Sequence, residues 1–350
     1  MSKKVLLSLV VSASFFCSNT HAQVGKDGPR TISVANTIVN EYTYLTANAA
    51  AGATTLTVNN NNLNVNSRFT AALAQGDLIL IIQMQGATVD ATALGAPFAT
   101  FSIPNSTGWG AVTNYNNCGN YEFAQVLSVT GTNTITILCG LRNSYTSAGH
   151  VQVVRVPRYT TLTINSSLTG ENWNGNTGGI IAVEPQTSTT INAGGSIVST
   201  GIGFRGGVAS ENLSGYGAGQ FANDDGTEGA EKGEGIVGFT TEYNAINGQF
   251  CMGAAANAGG GGNGHNAGGG GGGNAGSIAA WTGYGVSNPA YNAAWALEVP
   301  SLVGSVSSGG GRGGNTFSNA NGNANSDAPG TAAWGAASDV NRNVGGLGGR

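Results

Sequence analysis

Residues 77–84 read DLILIIQM, from Asp77 to Met84, and the fold turns on how this stretch is read. Leu78 to Ile82 are all apolar, so a strand built from them has no polar face. The run is also far shorter than the ~20 residues that cross a bilayer as a helix. It reads as a central β-strand covered on both faces. Such a strand needs neighbours on both edges, and the flanking sequence supplies them. TISVANTIV (31–39), TTLTV (54–58), EFAQVLSV (122–129), NTITIL (133–138) and HVQVVRV (150–156) are rich in β-branched residues. Thr134–Ile137 and Gln152–Arg155 alternate apolar with polar residues. Thr130-Gly131-Thr132-Asn133 reads as a tight hairpin turn between two of these runs. No sustained helical period interrupts them. The expectation for residues 23–160 is a compact antiparallel barrel or sandwich.

Glycine divides the chain. Of 59 glycines in 350 residues, 12 fall in residues 1–160 and 47 in residues 161–350. That step places a domain boundary at 160/161. Beyond it, TLTINSSLTG (161–170), GGIIAVEP (178–185) and TTINAGGSIVSTG (189–201) are short β-runs, each closed by Gly or Asn. Small residues turning corners around Ile and Val in a thin core are the pattern of a parallel β-solenoid. The chain is therefore expected to be all-β, with a glycine-rich, solenoid-like region over 161–350. Regularity fails after Phe204. The run GGGGNGHNAGGGGGGNAG (259–276) has three readings: a flexible linker, an ordered layer of close-packed extended chains, or an anion-binding loop. Nearby Phe250, Met252, Trp281, Tyr284, Tyr291 and Trp295 favour the ordered layer. No G-K-[ST] ending supports a phosphate loop.

The first 22 residues form a secretory signal: Lys3 and Lys4, an apolar stretch Val5–Phe16, and Thr20-His21-Ala22 before the cleavage point at Gln23. Its apolar stretch is too short for a membrane anchor, so the mature chain is expected to be secreted or displayed at a bacterial cell surface, with no membrane span. Only 9% of residues are charged, and losing Lys3 and Lys4 takes the net charge from −4 to −6. An acidic chain without Lys/Arg runs argues against nucleic acid and anionic membranes as partners. Extracellular surfaces or glycans remain.

Three cysteines stay in the mature chain. Cys118 and Cys139, 21 residues apart in one β-rich segment, are expected to pair in an oxidising compartment, leaving Cys251 odd. ANDDGTEGAEKGEG gathers Asp224, Asp225, Glu228, Glu231 and Glu234, partly offset by Lys232. This reads as a solvated acidic loop. Its second reading is a Ca²⁺ site on Asp224, Asp225 and Glu228, although the spacing departs from D-x-[DN]-x-[DN]-G. No other cofactor is implied. His150 reads as a strand-edge residue, and His265 has no ligand partner. No G-x-S-x-G or H-E-x-x-H occurs. Trp109, Trp173, Trp281, Trp295 and Trp334 either cap cores or stack on sugar rings.

The order GDLILIIQMQGA (76–87), YEFAQVLSV (121–129), GHVQVVRVPRY (149–159), GIGFRGG (201–207), KGEGI (232–236) and the glycine run at 259–276 resembles large secreted, glycine-rich surface proteins of gliding bacteria. These are the adventurous-gliding-motility surface proteins and the sorting-signal-bearing, adhesin-like proteins. The resemblance implies export and an adhesive or structural role, and transfers no catalytic residue. Such proteins continue into further repeats and a sorting region, so a chain ending at VGGLGGR is expected to be an N-terminal fragment. The sequence thus points to a non-enzymatic surface protein. Its alternative is a glycan-binding module or carbohydrate-active enzyme on a solenoid scaffold.

Overall fold

The computed structural model describes residues 24–89, 112–207, 231 and 233–246. The signal segment 1–22 and the glycine run 259–276 lie outside them. The described chain is nearly all-β. It opens with two short strands, β1 (Arg30–Ile32) and β2 (Thr37–Ile38), whose partners come only after the next hundred residues.

Those intervening residues form an antiparallel sheet. It contains β3 (Glu41–Tyr44), β4 (Thr55–Thr57), β5 (Leu78–Gln83), β8 (Tyr121–Thr130), β9 (Thr134–Ile137) and β10 (Val151–Val156), in the order β3-β10-β5-β8-β9-β4. A separate two-stranded ribbon joins β6 (Thr88–Val89) to β7 (Val112–Asn114). The two edges of the large sheet meet. Leu45 bridges Val58, Thr46 N–H donates to Thr57 O (2.9 Å), and Asn59 N–H donates to Tyr44 O (3.0 Å). The sheet therefore curls into a barrel, which removes exposed strand edges. Inside it lie Leu56, Ile79, Ile81, Val126, Ile135, Ile137, Val151 and Val153, all buried.

After the barrel come β11 (Arg158–Ile164), β12 (Ser167–Thr169), β13 (Glu184–Ile191) and β14 (Ser196–Ile197). They make two parallel ladders, β1-β11-β13 and β2-β12-β14. The register is regular: Ile32 faces Ile164, which faces Ile191, while Thr37 faces Leu168, which faces Ile197. Three successive passes of the chain are thus stacked in the same direction. Ile32, Val39, Tyr159, Leu162, Ile164 and Leu168 fill the space between the ladders. One short helix, α1 (Thr240–Ala245), follows at the end of the described chain.

This pairing departs from a boundary at 160/161. Residues 30–38 lie in the first expected segment yet pair with β11 and β12, so the barrel stands between the first and second parallel passes. A parallel pair needs a long crossover, and here the whole barrel is that crossover. The rise in glycine content does not mark where the parallel stack starts.

The reading of DLILIIQM as a doubly covered strand agrees with the structure. β5 lies between β10 and β8. Ile79 and Ile81 face the barrel interior, while Leu78, Leu80 and Ile82 face Val154, Val156, Ile180 and Ala182 on the other side. Buried amide side chains fix this second interface. Asn40 Nδ2 donates to Arg155 O (3.0 Å) and Ala182 O (2.6 Å), and Asn40 Oδ1 accepts from Ala182 N–H (3.0 Å). Gln152 makes the same reciprocal pair with Gly178, donating at 3.0 Å and accepting at 3.1 Å. Gly178 sits at φ +103°, and a Cβ there would lie 2.3 Å from Asn172 O, so the contact requires glycine. Tyr42 Oη donates to Ile180 O (2.6 Å), and burial pushes its pKa up to about 12.

Ile164 and Ile191 occupy the same column, but Ile164 is fully buried and Ile191 is 53% exposed. Ile164→Ala should therefore cost about 2–4 kcal/mol and Ile191→Ala under about 1 kcal/mol in urea melts. Equal losses would contradict the stacking described here.

Candidate functional site

Every carboxylate among the described residues is held by a partner. Asp77, 3% exposed, accepts from Arg155 Nη2 (2.8 Å) and Ala74 N–H (2.8 Å) and pairs with Lys26. Arg155 also donates to Leu63 O and Ala71 O, and its guanidinium lies 3.8 Å above the Phe69 ring. Arg158 pairs with Glu184 across the parallel ladder β11–β13, and Asp27 Oδ2 accepts from Arg158 N–H (2.7 Å). Glu41 accepts from Asn66, and Glu171 from Arg68. Glu122 accepts from Arg142 N–H, Asn143 N–H and Tyr145 Oη. Burial, reinforced by the Glu122 charge, drives the Tyr145 phenol well above its ordinary pKa.

Glu231 and Glu234, expected in a solvated acidic loop, are anchored. Glu231 accepts from Thr240 Oγ1 (3.1 Å), and Glu242 caps α1 by accepting from Phe239 N–H (2.9 Å). Glu234 is fully buried. It takes two bonds from the Arg205 guanidinium (2.9 and 3.0 Å), one from Arg205 N–H (3.0 Å) and one from Gln85 Nε2 (2.9 Å). Burial alone raises its pKa, but the Arg205 bonds outweigh burial and hold it below the ordinary carboxylate range. The indole N–H of Trp173 lies close enough to add to that lowering, although outside hydrogen-bonding geometry. Arg205 in turn stacks on Phe239 at 4.4 Å. Trp173 is 4% exposed and meets Phe204 and His150 edge-on. It caps a core, with no ring face left for a sugar. His150 Nδ1 lies 3.3 Å from Asn176 Oδ1 at the start of β10, in keeping with a strand-edge role.

The expected Cys118–Cys139 disulfide does not form. Cys118 is a free, buried thiol whose Sγ donates to Met84 O (3.2 Å), while Cys139 is disulfide-bonded without it. The register explains why. Leu138 N–H donates to Gln125 O, which sets Cys139 beside Ala124 and therefore level with Ile79 on β5. Cys118 lies past the other end of β5, beside Met84, on the order of 15 Å along the strand. A disulfide requires Cα atoms within about 7 Å. Sequence spacing misleads here because β8 runs ten residues before the hairpin returns only four.

Asp224, Asp225, Glu228, His265 and Cys251 lie outside the described residues, as do Trp109, Trp281, Trp295 and Trp334. Among the described residues no group of three His, Cys, Asp or Glu is gathered for a metal. No helix there is long and apolar enough to cross a membrane.

One open groove borders the Glu122 knot. It has a volume of about 670 Å³ and runs between the outer face of β8 and the segment after β9. Tyr121 and Phe123, 61% and 54% exposed, line it together with Glu122, Gly140, Arg142 and Asn143. Tyr121 and Phe123 stand opposite Ile82 and Leu80 of β5 and share their face of the sheet. Ile180 and Ala182 cover that face at β5. The alternation in YEFAQVLSV carried the signal for this face, but both faces are rich in apolar residues, so the outward one was not evident.

No protein-family model matches the chain, and no curated protein sequence does. Solved structures that match include three phage tailspikes. The tailspike protein gp49 of Pseudomonas phage LKA1 is 16% identical, with a TM-score of 0.21, over 48% of this chain and 24% of that one. The tailspike gp61 of Pseudomonas phage phi297 is 18% identical, with a TM-score of 0.19, over 47% and 21%. The Gp54 tailspike of Acinetobacter baumannii bacteriophage AP22, solved with A. baumannii capsular saccharide, is 12% identical, with a TM-score of 0.21, over 47% and 27%. The chain thus spans about a quarter of the length of these proteins. Likeness at this level says nothing of what the chain does.

Two predictions follow from the geometry. Burial pushes the Cys118 thiol up to about 11, so at pH 8 it should resist alkylation in the native protein and react on denaturation. Rapid native labelling would contradict its place against Met84. Glu234→Ala should cost about 2–3 kcal/mol, because Arg205 and Gln85 lose their partner. The sign for pH follows from the lowered pKa of Glu234. Its contribution is complete above the unfolded carboxylate value of about 4.3 and is lost as pH falls through the lower folded value. Glu234→Gln should flatten that part of the acid unfolding curve, and an unchanged slope would refute the assignment.

Proposed function

We propose that the chain is a secreted or cell-surface protein with a structural or adhesive role and no catalytic activity, built on a barrel set into the start of a parallel β-solenoid. The observation that carries this reading is the use of its carboxylates. Each described Asp or Glu accepts bonds from arginine, lysine, hydroxyl, amide or backbone groups, and most of these bonds join parts of the chain distant in sequence. Carboxylates used in this way tie the fold together, which is the use that a structural role has for them. The short polar side chains, the low charge and the leader-like first 22 residues support an extracellular setting. The resemblance to glycine-rich surface proteins of gliding bacteria supports adhesion over catalysis.

A second reading, a glycan-binding module, is favoured by the aromatic groove on β8. One assay separates binding from cleavage. Purified residues 23–350, incubated with a panel of neutral and uronate polysaccharides, should release no new reducing ends. Depolymerisation that disappears in Asp224→Ala or Glu228→Ala would overturn the non-catalytic reading.

A further inference from the structure

The rings of Tyr121 and Phe123 in the groove on β8 belong to no apolar cluster among the described residues. Tyr121 and Phe123 alternate along one strand, so both rings leave the same face, about 7 Å apart at their Cα atoms. Tyr121–Gln125 of β8 pair in regular register with β5, and β9 joins the strand from Val126 onward. Two large rings more than half exposed on such a strand are costly surface for a monomer to leave uncovered, and large apolar side chains in that position mark contact sites. The cover that Ile180 and Ala182 give this face extends over Leu80 and Ile82 of β5. It leaves Phe123 and Tyr121, directly opposite them, open.

Polar side chains line the groove beside the rings. Arg142 is exposed, and its guanidinium has no ion-pair partner among the described residues. Its position is fixed nonetheless, because Arg142 N–H and Asn143 N–H both donate to the Glu122 carboxylate (2.9 and 3.0 Å). Glu122 points to the other face of the sheet, level with Ile81. Glu122 also lines the groove, but its carboxylate is taken up by Arg142 N–H, Asn143 N–H and Tyr145 Oη, which leaves Arg142 as the exposed charged side chain there. At 670 Å³ the groove falls within the size of pockets that hold small ligands.

We infer that this groove is a glycan-binding site, in which successive sugar rings stack on Tyr121 and Phe123 while Arg142 and Asn143 hydrogen-bond hydroxyl or carboxylate oxygens. The chemistry of the lining selects the ligand. A sugar ring has an apolar C–H face and an equatorial rim of oxygens, which match aromatic rings beside Arg and Asn. An apolar peptide or lipid would leave Arg142 unpaired. The net charge of the chain does not exclude an acidic sugar, because screening confines charge effects to about 8 Å at physiological salt. This inference rests on the extracellular, adhesive reading above and names a site and a ligand class for it.

Affinity electrophoresis of residues 23–350 in gels containing neutral glucans, mannans, polygalacturonate or alginate tests it. At least one polysaccharide should retard the protein. Tyr121→Ala/Phe123→Ala should weaken that retardation tenfold or more, while Tyr115→Ala, equally exposed but outside the groove, leaves it unchanged. Salt-sensitive retardation by uronates that Arg142→Ala abolishes would assign a carboxylate to Arg142. Retardation by neutral chains that Arg142→Ala weakens only slightly would assign hydroxyls. Hydroxyl-radical footprinting of the unsubstituted protein makes the outcome independent of how the variants fold, since bound glycan should protect Tyr121 and Phe123. Retardation without that protection would overturn the groove and leave glycan adhesion standing. No retardation by any polysaccharide would overturn the site and the glycan reading together, while a purely structural surface role would survive.

Discussion

The side chain of Asn40 stands where the chain leaves its first parallel pass and enters the barrel. It binds three backbone groups there: the carbonyl of Arg155, on the last barrel strand, and the carbonyl and N–H of Ala182, on the way into the third pass. A buried amide can be satisfied so completely only if those three segments arrive in one arrangement. Gln152 with Gly178 and Gln85 with Gly235 repeat the device. The barrel and the parallel stack are therefore registered against each other by backbone hydrogen bonds from amide side chains, on top of the apolar contact between β5, β10 and residues 180–182.

The few charges are used in the same way. With 9% charged residues the chain has little charge to place on its surface, and several of its ion pairs join segments distant in sequence with at least one partner buried. Arg155 with Asp77 ties β10 to the turn before β5, Arg158 with Glu184 ties the second parallel pass to the third, and Arg205 with Glu234 ties the stretch after β14 to the stretch before α1. Buried pairs of this kind are a poor source of net stability but penalise every arrangement that separates them. That suits a fold whose parallel passes could otherwise slide by one step along a run of similar Thr, Ser and Ile residues.

Much of the sheet was legible from patterns of two. DLILIIQM gave a doubly covered central strand because an apolar residue at every position leaves no face for water. Thr130–Asn133 gave the hairpin, and Ile164 and Ile191 stood in phase with β-branched neighbours. The participation of residues 30–38 in the parallel stack was not legible, because TISVANTIV carries the same local signal whether it pairs within the barrel or with a strand beyond it. Glu234 shows the same limit from the other side. Among Asp224, Asp225, Glu228 and Glu231 it looks like one more solvated acid, and its burial depends on Arg205 and Gln85, which are far away in sequence. The aromatic groove was hidden because Tyr121 and Phe123 alternate with Glu122 and Ala124, and Glu122 turned inward.

Local composition by itself determined that the chain is β-rich, that its glycines concentrate after residue 160, and that its charge is low and net acidic, because these depend on residue type and period alone. Tertiary structure decided which strands pair. It placed the barrel between two parallel passes, separated Cys118 from Cys139 along β5, buried Glu234 under Arg205, and left Tyr121 and Phe123 facing outward. Each of these is a relation between residues that sequence neighbours do not constrain: a backbone partner more than a hundred residues away, or a register that one long strand and one short strand together displace.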